Sequence, residues 1–308
     1  MIRCISLVRR LRSGAATAVC ATVVLAGCTK GAKSSGKPWE EFSGPKALRH
    51  VQQLVDLGPR PPASDAIEKS RVYITEQLEL SGWKLTRQSF TDKTPRGKVE
   101  FVNLVARHTS RAVRATPVFL LCSHYDTKIF DSIRFVGAND GGSSTGALIE
   151  IARVLNGHPE LAAKIELVYF DGEEAYESFS DKDGLYGSRY FAKHLSAEDR
   201  FIGGILLDMI GDRSLTITLS PDSPMQMTTD IFASAEALKA RDHFTYFQSG
   251  IMDDHTPLNA AGIPTIDLID FDFPPWHTAD DTMDKLSAES LQIIGAVTLY
   301  YLSQFALK

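Results

Sequence analysis

The chain is short of cysteine: of four in 308 residues, Cys4, Cys20 and Cys28 stand near the N-terminus and only Cys122 lies in the long remainder. A single thiol cannot close an internal disulfide, which excludes a small disulfide-stapled scaffold even in a compartment that permits disulfides. Cys122 follows the apolar run Pro117–Leu121, so a buried, inert thiol is expected there rather than a nucleophile. Charge of one sign is also lacking. A formal net charge of -5 comes with no basic patch that suggests nucleic acid and no acidic tail that suggests disorder. There is no internal repeat, and no membrane-length apolar run follows the N-terminal segment. With 44% hydrophobic and 23% charged residues, what remains is ordinary globular composition, best met by one large α/β domain.

The N-terminus reads as an address. Arg3, Arg9, Arg10 and Arg12 precede a short apolar run, Ala15 to Gly27, that is too short for a comfortable membrane span. Leu25-Ala26-Gly27-Cys28 resembles the bacterial lipobox, which implies cleavage before Cys28 and lipidation of its thiol. A plain secretory signal or an uncleaved anchor are the alternatives. Thr29 follows, so no Asp marks inner-membrane retention, and Lys30 to Pro38 reads as a flexible tether. The expected organisation is a signal peptide over 1–27, a lipidated Cys28 with tether over 28–44, and a catalytic domain over 45–308. The expected location is the bacterial cell envelope, facing the periplasm. The expected contacts are the membrane through the lipid, no nucleic acid, and a monomeric protein.

Downstream, helical and strand-like patterns alternate. Lys46 to Leu57 carries apolar residues at helical spacing and stops at Gly58-Pro59. A second helix, capped by Ser64 or Asp65, runs to about Leu80. Two strand-like runs flank Thr94-Pro95-Arg96-Gly97 and predict a hairpin. Core strands are expected over Thr116 to Leu121, Lys164 to Phe170, Ile202 to Leu207 and Pro264 to Ile269. Helices are expected over about Ser143 to Leu155 and over Leu286 to Leu302. This order implies a central twisted, mostly parallel sheet covered by helices on both faces. Ligands of such sheets bind beyond the carboxyl ends of the strands. His124, Asp140, the pair Glu173-Glu174 and Asp208 fall at strand ends or in the loops after them, and His277 follows the last strand.

Catalytic zinc takes carboxylate oxygens and imidazole nitrogens and keeps one position open. Asp140, Glu174 and His277 can supply three ligands, leaving Glu173 to act as general base and acid once its pKa is raised. Asp208 and Asp254 are candidates for supporting hydrogen bonds. Taken singly, an Asp in a glycine-rich loop is a turn residue and paired glutamates mark a solvated face. Their place directly after apolar strands is what sets this group apart.

The same residues resemble a family. His124-Tyr125-Asp126, Ala138-Asn139-Asp140-Gly141, Asp171-Gly172-Glu173-Glu174, Asp208-Met209-Ile210-Gly211, Asp254-His255 and His277-Thr278 are similar to the motifs of the M28 zinc aminopeptidase clan. Within it the chain most resembles the animal-type (type II) glutaminyl-peptide cyclotransferases. Leu57–Pro62, Thr94–Gly97, Phe101-Val102-Asn103, the spacer from Ala175 to Leu185-Tyr186-Gly187-Ser188-Arg189, Asp253–Pro257 and Trp276-His277-Thr278 carry this likeness over roughly residues 45–305. The resemblance implies one zinc on Asp140, Glu174 and His277, and Glu173 as proton shuttle. It also implies Asp208 and Asp254 as a carboxylate pair near the leaving amide, and Trp276 as an aromatic wall of the pocket. The implied reaction turns the N-terminal Gln of a peptide into pyroglutamate with release of ammonia. The chain departs from the family's pattern in three places. Phe179 stands where the spacer's pocket tryptophan is expected. Phe273–Trp276 is one residue shorter. Cys122 has no partner, with Thr145 about where a second Cys would be. Two alternatives remain: a two-zinc aminopeptidase with a second metal on His124 and Asp208, and a non-catalytic lipoprotein scaffold, against which the intact Glu173 speaks.

Overall fold

A computed structural model describes residues 36–111, 117–196 and 200–308. The signal segment, Cys28 and the tether up to residue 35 lie outside the described residues, as does Thr116 at the start of its expected strand; the rest of the 28–44 stretch carries a short helix, with Pro38 and Phe42 buried.

A short helix α1 (Pro38–Glu41) leads into α2 (Gly44–Asp56), which buries Ala47, Val51 and Leu54 on one face at helical spacing. In α3 (Asp65–Leu80), Ser64 is the N-cap: its hydroxyl accepts the Ile67 N–H at 3.1 Å, while Asp65 opens the helix. Strands β1 (Trp83–Thr94) and β2 (Gly97–His108) form the expected hairpin, each longer than its apolar pattern because the paired outer halves face solvent. Then follow β3 (Val118–His124), α4 (Gly142–Asn156), α5 (Pro159–Ala162), β4 (Ile165–Phe170), α6 (Tyr186–Lys193) and β5 (Phe201–Asp208). The chain continues through β6 (Ile217–Leu219), α7 (Met225–Ala237), β7 (Phe244–Tyr246), α8 (His255–Ala260), β8 (Thr265–Ile269) and α9 (Ala288–Tyr301).

Six strands form one sheet in the order β1-β2-β4-β3-β5-β8. The four from β4 to β8 are mutually parallel, and the hairpin joins antiparallel at the β4 edge. Alternate residues of the parallel strands enter two different cores. Leu121, Leu167, Tyr169, Ile205 and Leu207 pack with α2, α4 and α9; Leu120, Cys122, Val168, Phe170 and Leu206 pack with Phe191 of α6 and Leu258 of α8. Burial on both faces is why these strands read as unbroken apolar runs rather than alternating ones. The expected single α/β domain with a mostly parallel, two-faced sheet is therefore the fold found. The parallel pair β6–β7 and the helices α6, α7 and α8 had not been expected. Among the described residues no helix is long and apolar enough to cross a membrane.

Candidate active site

Because β3, β4, β5 and β8 are parallel, their carboxyl ends meet on one rim. β3 ends on His124, β5 ends on Asp208, and β4 ends on Phe170, just before Asp171-Gly172-Glu173-Glu174. Two glycines allow close approach here. A side chain at Gly172 (φ +71°) would come within 2.4 Å of the Phe101 ring, and one at Gly141 (φ +71°) within 2.8 Å of the His124 ring. His277 is itself in the left-handed region (φ 57°), costly for a non-glycine by about 1–3 kcal/mol and a feature of functional positions. Trp276 stacks on its ring at 4.2 Å, and Phe130 and Phe135 meet it edge-on.

Two three-residue groups share Asp140. In the first, His277 Nε2 lies 3.1 Å from Glu174 Oε2 and 3.4 Å from Asp140 Oδ2. In the second, His124 Nε2 lies 3.2 Å from both Asp140 Oδ1 and Asp208 Oδ1. Within each group the donor atoms lie within 4.8 Å of one another. The first fits a metal ion well: two carboxylates and an imidazole are the donors zinc takes, and buried Asp140 Oδ2 makes no hydrogen bond. Burial lowers the His277 imidazole, but the neighbouring Asp140 and Glu174 carboxylates outweigh it and push it up to about 9. Asp140 is held well below the usual carboxylate range by His124 and His277, against the effect of burial.

Glu173 stands off both groups, buried at 6% exposure. Burial raises its carboxyl well above the ordinary value; His124 opposes the rise and Asp253, Glu174 and Asp254 add to it. It lines a pocket of about 30 Å³, room for about two waters, together with Asp140, Glu174, Asp208 and His277. Phe179 and Trp276 are in the pocket wall. Met209, Ile251, Met252 and Phe271 share the wall and carry no chemical signal in the sequence beyond being apolar. Asp253 also lines the pocket, whereas its neighbour Asp254 lies fully buried behind it at the start of α8.

Several residues orient the site without touching the pocket. Asp126 accepts the backbone N–H groups of Glu173 (3.2 Å) and Glu174 (3.4 Å). Asp281 accepts those of Asn139 (2.7 Å) and Asp140 (3.1 Å). Fully buried Arg60 donates to five backbone carbonyls, among them those of Val136 and Gly137 in the loop before Asp140. Lys128 donates to the Ala175 carbonyl at 2.6 Å and lies 3.6 Å from Glu174 Oε2. Asp126 stands inside the quoted His124-Tyr125-Asp126 motif and Arg60 inside the quoted Leu57–Pro62 stretch; Asp281 had no signal, since a side chain that accepts backbone N–H groups leaves no periodicity.

The model of peptidase family M28 matches residues 103–302. A glutaminyl-peptide cyclotransferase of Drosophila melanogaster is 31% identical over 288 residues, 82% of this chain and 80% of that protein. The crystal structure of a glutaminyl cyclase from an Acidobacteriales bacterium is 32% identical with a TM-score of 0.76, covering 85% of this chain and 94% of that one. A crystal structure of a leucine aminopeptidase precursor from Bacteroides thetaiotaomicron superposes as well, with a TM-score of 0.77 at 26% identity over 85% of this chain and 97% of that one. The chain belongs to peptidase family M28, on the branch formed by the glutaminyl-peptide cyclotransferases.

Proposed function

We propose that the protein is a zinc-dependent glutaminyl-peptide cyclotransferase, an acyltransferase that converts the N-terminal Gln of a peptide to pyroglutamate and releases ammonia. The observation that carries the reading is Glu173, a buried carboxyl with a raised pKa, beside the Asp140/Glu174/His277 group in a narrow pocket. Those three residues would hold one zinc ion, which supplies a Lewis acid for the γ-carbonyl of the substrate Gln. Glu173 takes a proton from the α-amine as its nitrogen bonds to Cδ, the carbonyl carbon of the side-chain carboxamide. As the carboxamide C–N bond breaks, Glu173 returns the proton to the departing nitrogen, which leaves as ammonia. A group raised toward neutrality suits both halves of that transfer. Asp208 would stand near the leaving amide with Asp254, whose charge reaches Glu173, and Asp253 lines the same pocket. Phe179, Trp276 and a pocket with room for about two waters keep bulk solvent out, which favours cyclisation over hydrolysis.

A second reading rests on one observation: His124, Asp140 and Asp208 form another group able to hold a metal. With two metals bound, the chain would be an aminopeptidase in which Glu173 activates water. Purified protein given a Gln-initiated peptide and a Leu-initiated chromogenic amide decides. Ammonia from the first without cleavage of the second is the expected result; cleavage of the second as the main activity overturns the cyclotransferase, and no turnover of either with zinc present favours a scaffold. Peptide and protein N-termini are the partners this reading requires.

The Cys28 motif supports a lipid anchor on the envelope, with the domain monomeric and facing the periplasm. Cys28→Ser should move the protein from the membrane to the soluble fraction; unchanged membrane association would reject the anchor.

A further inference from the structure

Beside the catalytic pocket, between the outer end of β1 and the C-terminal half of α6, runs a groove of about 540 Å³. Its floor is Tyr190, stacked between Phe90 at 4.1 Å and His194 at 3.9 Å. Lys93, Lys182 and Lys193 line it and are exposed. Among the described residues no carboxylate comes within ion-pair distance of any of the three ammonium groups, on a chain whose net charge is -5. Asp92 and Asp181 are also in the groove, but Asp92 Oδ1 is engaged by the Lys93 backbone N–H at 2.7 Å. Unpaired cations converging on a concave, aromatic-floored surface attract negative charge, and a net-negative protein gains little from them otherwise.

The groove and the pocket share a wall. The loop after Glu174 puts Phe179 into the catalytic pocket, and two and three residues later Asp181 and Lys182 line the groove. Two residues span at most about 7 Å of backbone. Arg189 fixes that wall by donating to the carbonyls of Ser180, Gly184 and Leu185. A chain leaving the pocket past Phe179 therefore meets the groove within a few residues.

We propose that this groove binds an acidic stretch of the peptide substrate, downstream of the N-terminal residue held in the pocket. The proposal rests on the cyclotransferase reading for its substrate. The test uses Gln-initiated peptides in which a run of glutamates is moved outward from the first residue, each paired with the same peptide carrying glutamines instead. At low salt one spacing should raise kcat/KM about fivefold through KM, which high salt removes. The variant Lys93→Gln/Lys182→Gln/Lys193→Gln should lose that advantage while keeping its rate on a Gln dipeptide amide. An advantage that survives in the triple variant, or none at any spacing, overturns the proposal. Binding of an N-acetylated acidic peptide, which cannot react, is followed by fluorescence anisotropy in parallel. If no Gln peptide is turned over at all, the cyclotransferase reading fails alone, and this binding measurement decides the groove: weakening in the triple variant upholds it, and equal or absent binding rejects it.

Discussion

The two histidines of the site have the same kind of neighbours and different surroundings. His124 closes a core strand, is 1% exposed, and is fixed from behind: Thr145 donates to its carbonyl at 2.8 Å and Asp126 stands 3.5 Å from Nδ1. His277 sits on a loop, in a left-handed backbone conformation, with 19% of its side chain exposed toward the pocket and an aromatic ring stacked on it. Both can offer an imidazole to Asp140. Of the two histidines only His277 lines the pocket, and a catalytic metal requires a position open to substrate. The difference teaches that ligand type alone does not place the working metal; access does.

The largest expected effect sharpens this contrast. His277→Ala should abolish both bound zinc and turnover, whereas His124→Ala should leave close to one zinc per chain. A wild-type count near two, falling to one in His124→Ala, would break the contrast and point to the aminopeptidase. Next in size is Glu173→Gln, which should keep the metal and lower kcat by about 10²–10⁴-fold. Full activity in that variant would remove Glu173 from the proton transfer. The smallest effect is on pH. His277 without metal holds its proton up to about 9, so zinc must displace that proton at neutral pH. Zinc affinity should climb by about tenfold per pH unit from this group between pH 7 and 9, then flatten. In the metal-free protein the sign is opposite: with the folded pKa raised above the ordinary 6.5, the stability from charged His277 is full below that value and lost as pH rises through about 9. An affinity that is flat from pH 7 to 9 would mean that His277 is not a ligand.

Much of the rim was legible because its chemistry interrupts apolar runs. Phe170 ends a run buried on both faces, so charges one residue later had to lie at a strand end. The hairpin was legible from Thr94–Gly97 for the same reason in reverse, a polar break between two strand-like runs. What escaped detection works through the backbone. Arg60 stands within the Leu57–Pro62 stretch, yet nothing local tells that its guanidinium gathers five carbonyls from segments far apart in sequence. Asp281 lies in an exposed-looking Asp-Asp-Thr stretch, although its carboxylate is what holds the Asp140 backbone. Helix α7 escaped for a different reason: Met225–Ala237 mixes small and polar residues and buries only a thin stripe, Met227, Ile231 and Ala235 among them. The sequence pointed to Asp254, but Asp253 is the one that lines the pocket, because the geometry entering α8 leaves Asp254 fully buried.

Cys122 is fully buried against the α6 and α8 side of the sheet and is free; its thiol lies 3.6 Å from the Ile205 carbonyl. Thr145 lies on the opposite face of the sheet, on α4, where its hydroxyl meets that of Ser123 at 3.4 Å and donates to the His124 carbonyl. The domain thus has no cross-link for a reductant to cut. Dithiothreitol in a preparation buffer would act on this protein as a zinc chelator, and activity lost to it should return when zinc is added back, without any oxidative refolding.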